Sequence, residues 1–70
     1  MYVITKWESI GQVYLRRIGD RGQVYTSEHW HESVRFREPR DAEVVLTMLD
    51  SLKGEGFTVE RLTARCERTA

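Results

Sequence analysis

Seventy residues and 8.3 kDa leave room for one domain, and a domain of this size buries only about 60% of the surface its unfolded chain exposes. Apolar residues make up 40% of the chain, enough for a core. There is no apolar run long enough for a membrane span and no signal-like N-terminus, so a cytoplasmic location is expected. The formal net charge is zero, which argues against a general nucleic-acid binder, and the single cysteine, Cys66, excludes an internal disulfide.

Tyr2 to Trp7 is rich in β-branched and aromatic residues and reads as the first strand. Its alternation sets Val3, Thr5 and Trp7 against Tyr2, Ile4 and Lys6. Glu8-Ser9-Ile10-Gly11 is a turn with glycine at the reversal. Gln12 to Ile18 is the second strand, with Val13 and Leu15 on one side and Tyr14, Arg16 and Ile18 on the other. Gly19-Asp20-Arg21-Gly22 is a compact hairpin loop. Gln23 to Ser27 follows as the third strand, splitting Val24 and Thr26 from Gln23 and Tyr25.

Between Ser27 and Arg37 the pattern allows a fourth short strand or an irregular turn; the irregular turn is preferred, setting Trp30 and Phe36 onto the core. Pro39 to Lys53 is the segment in which start signal, spacing and stop signal agree on a helix. Pro39 suits the first turn, Asp41 meets the positive end of the helix dipole, and Gly54 follows Lys53 as a terminator. At about 100° per residue, Ala42, Val45, Leu46, Leu49 and Leu52 share one arc. Val44 and Met48 widen that arc to roughly 200°, more than a one-sided surface helix needs. They require a second cover, either the Ser27 to Arg37 segment or another protein chain. Arg40, Glu43, Thr47, Asp50 and Ser51 face the opposite way.

Phe57 to Leu62 reads as the last strand, and Thr63 to Ala70 lacks apolar periodicity and is expected to be a loose tail carrying Cys66 as a free thiol. The expected fold class is therefore α+β, with β-β-β-α-β order. An antiparallel sheet is covered on one face by a single helix, and the domain spans residues 1–62. The predicted core is Val3, Val13, Leu15, Val24, Phe36, Ala42, Val45, Leu46, Leu49, Leu52, Phe57 and Val59, joined by Trp7 or Trp30.

One helix on a single sheet leaves the other sheet face bare, and alternation assigns it Tyr2, Ile4, Tyr14, Arg16, Ile18, Tyr25 and Leu62. That surface is too apolar for ordinary solvation. Two copies meeting through it, a dedicated protein partner, or single-stranded nucleic acid stacked on Tyr14 and Tyr25 beside Arg16 would each account for it. Charge is unevenly spread. Residues 1–37 carry six basic and four acidic side chains, 38–60 two and six, and 61–70 three and one, for local sums of +2, −4 and +2.

No catalytic or cofactor motif is present. The serines lack a Gly-x-Ser-x-Gly context, Cys66 lacks a placed base, and the glycine pairs lack the lysine and helix of a phosphate loop. His29 and His31, with Glu28 and Glu32, form the one cluster resembling a ligand set, but catalytic zinc takes three spaced protein ligands. A polar surface loop is the expected reading, with no metal, no cofactor and no enzymatic activity.

Met1-Tyr2-Val3-Ile4, Tyr25-Thr26-Ser27 ahead of Trp30, Ser33-x-x-Phe36, Asp41-Ala42-Glu43 and Gly56-Phe57-Thr58-Val59-Glu60 together resemble small phage and prophage proteins. In size and helix-on-sheet build the chain is similar to anti-CRISPR proteins. The resemblance implies a non-enzymatic inhibitor in the host cytoplasm that blocks a defence protein or complex sterically or by charge mimicry. The residues expected at the partner are Tyr14, Arg16, Tyr25, Glu43, Val44, Met48 and Asp50. Glu43 and Asp50, with Asp41 and Glu55 nearby, would stand in for phosphates against a basic groove. A homodimer is also expected, and a single-stranded nucleic-acid-binding module is the alternative.

Overall fold

In the computed structural model, which describes residues 1–52 and 56–62, the opening strands pair as consecutive antiparallel neighbours. β1 (Tyr2–Glu8), β2 (Gly11–Ile18) and β3 (Val24–Ser27) form a meander. A single 3₁₀ turn (Trp30–Glu32) and a helix, α1 (Pro39–Ser51), follow, and β4 (Thr58–Arg61) returns to pair with β1 at the sheet edge. Strand order is β3-β2-β1-β4, antiparallel throughout, and the fold is α+β in the expected β-β-β-α-β order. The expected tail at residues 63–70, with Cys66, and the terminator at Gly54 lie outside the described residues.

Ile4, Leu15, Ala42, Leu49 and Phe57 form the buried cluster between sheet and helix. Tyr2, Ile18, Val24 and Val59 from the strands, Val34 and Phe36 from the connecting segment, and Val45 and Leu46 from α1 pack around it. Pro39 occupies the first turn of α1, as its missing N–H favours, behind Glu38, whose extended backbone (φ −119°, ψ 143°) makes the N-cap. The helix ends at Ser51, with Leu52 in the closing turn.

Several face assignments differ from expectation. β1 presents Ile4, not Val3, to the helix, and Tyr2 packs on the same cluster. Val3 and Ile4 are both fully buried, so the strand is apolar on both sides and alternation carries no sign of which side is inward. Ile18 also joins the helix side. The register runs Leu15 to Thr26 and then Arg17 to Tyr25, so one extra residue in β2 inverts the alternation after Leu15. Trp7 is 76% exposed, and Leu52, expected in the core, is 38% exposed. Nor is the second sheet face bare. Val3, Thr5 and Leu62, set there by cross-strand pairing, are buried, and the Thr5 hydroxyl donates to the Val13 carbonyl at 2.7 Å.

The segment from Ser27 to Phe36 is an irregular turn with a structural task. β1 and β2 pair only from Thr5–Glu8 to Gly11–Tyr14. Beyond that stretch the Leu15 carbonyl accepts from the Val34 N–H at 3.0 Å, and Tyr2 and Phe36 exchange N–H···O bonds of 2.8 and 2.9 Å. The connection thus satisfies strand groups that would otherwise be buried unpaired. It also delivers Phe36 to the core three residues before the helix begins.

Candidate functional site

The extra residue in β2 builds the more distinctive of two surfaces. Because Tyr14 lies opposite Ser27 and Arg17 opposite Tyr25, these four residues share the sheet face turned away from α1. The Arg17 guanidinium sits 4.3 Å from the centre of the Tyr25 ring. Beside it, Ser27 anchors the 3₁₀ turn, its hydroxyl donating to the Glu32 carboxylate and accepting the His29 N–H. The Arg35 guanidinium, three residues beyond that turn, lies 5.7 Å from the Trp30 ring, and Trp30 Nε1 is buried with no hydrogen-bond partner among the described residues. Two arginine–aromatic stacks therefore flank one short turn. Arg16, Arg17, Tyr25 and Arg35 are exposed, whereas Tyr14 and Trp30 are half-buried.

Glu32 sits in a positive field. Its carboxyl is held below the usual carboxylate range, first by the Ser27 hydroxyl, which outweighs the opposing loss of hydration, and further by the charges of His29, Arg16 and His31. The two imidazole rings are 5.4 Å apart. Among the described residues, no three His, Cys, Asp or Glu side chains converge as a metal-binding set.

The second surface lies on the helix side. An open, mainly apolar cleft of about 290 Å³ separates α1 from the end of β2, with Leu15, Ile18, Val34 and Phe36 along one side and Val45 and Met48 along the other. Arg16 and Arg17 contribute to its strand wall. Val44 is 62% and Met48 50% exposed, so the Ser27 to Arg37 segment does not cover them. Glu43 and Asp50 are exposed elsewhere on α1.

The seven residues singled out from sequence thus separate into two groups. Tyr14, Arg16 and Tyr25 belong with the bulged strand and its neighbour. Glu43, Val44, Met48 and Asp50 belong with the helix. Alternation alone does not find Arg17 and Arg35, because pairing Arg17 with Tyr25 depends on the extra residue and placing Arg35 on Trp30 depends on the irregular turn.

Among the described residues, no helix is long and apolar enough to cross a membrane. Compared with protein-family models, with curated proteins and with solved structures, the chain matches none.

Proposed function

We propose that this is a non-enzymatic binding protein that blocks a larger protein partner through the face carrying Arg16, Arg17, Tyr25, Trp30 and Arg35. The observation that carries the reading is the pair of arginine–aromatic stacks flanking one short turn, at 4.3 and 5.7 Å. Tyr, Trp and Arg are the side chains that most often dominate protein interfaces, because each joins a large apolar area to a directional polar group. An arginine held over a ring is also partly ordered before binding, which lowers the entropy lost on association. The resemblance to anti-CRISPR proteins supplies the partner class, a host defence protein or complex.

The test is the plating efficiency of a targeted phage on a host with an active CRISPR-type defence, expressing wild type, Tyr25→Ala or Arg35→Ala at equal levels. Protection by wild type that both variants lose supports the reading. Protection kept by both removes this face from it, and no protection by wild type removes the inhibitor.

Single-stranded nucleic acid is the second reading, favoured by Tyr14 and Tyr25 sharing one face with Arg17. Under the first reading a labelled oligonucleotide shows no salt-sensitive anisotropy change. Micromolar binding that Tyr25→Ala weakens would put the nucleic acid first.

A further inference from the structure

β3 is an edge of the sheet, with β2 on one flank and no strand on the other. Which of its backbone groups point outward follows from its neighbour. The Leu15 carbonyl accepts from the Val34 N–H, so Leu15 turns its backbone groups away from β3. Its partner Thr26 therefore sits in a pair without ladder hydrogen bonds and directs its own N–H and C=O outward, as does Val24 two residues earlier. Among the described residues, no loop donates to or accepts from the backbone of Val24 or Thr26. Their N–H and C=O groups stand in line, ready to pair with another strand.

Open sheet edges are ordinarily guarded by charge or proline. β4, at the opposite edge, carries Glu60 and Arg61, whereas the Val24-Tyr25-Thr26-Ser27 run of β3 has neither a charge nor a proline. The charge lies one strand inward. Arg17, directly opposite Tyr25, and Arg16, the extra residue beside it, are exposed, and the Arg17 guanidinium reaches the Tyr25 ring at the edge, 4.3 Å from its centre. Among the described residues the one ion pair is Lys6 with Glu8, so neither arginine has a carboxylate in contact.

We infer that β3 is the docking edge for an extended, acidic segment of a partner protein, which adds to the four-stranded sheet beside it. The blocking reading proposed above is presupposed. The partner held at the arginine–aromatic face pairs its backbone with Val24 and Thr26 and sets its carboxylates against Arg16 and Arg17. Side chains directly opposite one another on neighbouring strands share a face, so a glutamate or aspartate opposite Tyr25 lies beside the Arg17 guanidinium. In an added strand the main-chain bonds give affinity and the alternate side chains give specificity. A second copy paired through β3 across a two-fold axis would bring Arg16 and Arg17 of each molecule toward those of the other, a repulsive arrangement. Nucleic acid has no peptide groups to pair with the Val24 and Thr26 backbone.

The probe is a fluorescein-labelled peptide of about ten residues alternating threonine and glutamate, long enough to lie along the edge. Anisotropy with the full chain should show saturable binding below about 1 mM that weakens with added salt. Amide exchange should slow at Val24 and Thr26, whose N–H groups the peptide covers. Thr26→Pro removes an outward N–H without breaking a bond to β2, at a position where an edge strand tolerates proline. Thr26→Pro and Arg17→Glu should each weaken binding about tenfold or more, with circular dichroism spectra matching wild type. Should Thr26→Pro fail to fold, Arg17→Glu and the exchange pattern of wild type decide the matter. No binding by wild type, equal binding of a peptide with lysine in place of glutamate, or binding that leaves the Val24 and Thr26 amides exchanging as before overturns the inference. Phage protection lost by Tyr25→Ala but kept by Thr26→Pro overturns it too, while leaving the blocking reading in place.

Discussion

Gly22 shows how a single backbone conformation ties two elements together. Its φ of +80° lies in the left-handed region, and a Cβ built there would meet Leu52 Cδ2 at 3.0 Å, so the β2–β3 loop closes directly against the end of α1. Gly22→Ala incurs both the backbone strain and the displacement of Leu52. A loss of about 1–2 kcal/mol in chemical denaturation is expected, and a variant as stable as wild type would show that the loop and Leu52 move apart freely. Glu32 carries the residue-scale pH dependence. Its folded-state pKa is depressed below the usual 4.5, so the stabilisation it brings is fully present above that value and is lost as the pH falls through the folded pKa. The hydroxyl of Ser27 is the largest cause. Carboxyl titration by NMR should therefore place Glu32 below 4.5 in wild type and move it upward in Ser27→Ala. An unchanged titration would mean that the hydrogen bond does not form in solution.

At the scale of elements, α1 begins on a compromise. Glu38 has the extended backbone of an N-cap but makes no side-chain bond to the first turn, leaving helix N–H groups that a shorter oxygen-bearing side chain could reach. Glu38→Ser is expected to raise stability by about 0.5–1 kcal/mol in thermal denaturation. No gain would mean that the first turn is already satisfied by solvent. The helix was legible in the sequence because Pro39, the apolar spacing and the dipole-matched Asp41 are local signals that agree. The strands were legible as elements but not as faces. Val3 and Ile4 are equally apolar and equally buried, so the phase of β1 depends on what packs on either side, which is a tertiary fact. The inversion at Arg16 is likewise set by pairing with β3. The arginine–aromatic face was therefore only partly visible: Tyr14, Arg16 and Tyr25 could be placed by alternation, but Arg17 and Arg35 could not.

For the whole molecule, closure depends on a contact between strands far apart in sequence. β1 lies between β2 and β4, and its partner β4 arrives from far along the chain, with Tyr2 opposite Arg61. The meander forms locally, whereas β4 must bring Phe57 under the helix before the sheet is complete. Phe57 is 8% exposed and sits in the same cluster as Ile4, Leu15, Ala42 and Leu49, with Lys6 Nζ 4.8 Å from the centre of its ring. Truncating such a side chain to alanine removes its transfer free energy and leaves a cavity, a loss of about 3–5 kcal/mol. A domain of this length rarely has more than about 3–5 kcal/mol in total. Phe57→Ala should therefore unfold the protein outright at low concentration, read as loss of the strand and helix signals in circular dichroism. Phe57→Leu, which keeps most of the volume, should remain folded. A Phe57→Ala protein that stays cooperative and fully folded when dilute would mean that the meander and helix hold together without β4 locked beneath them.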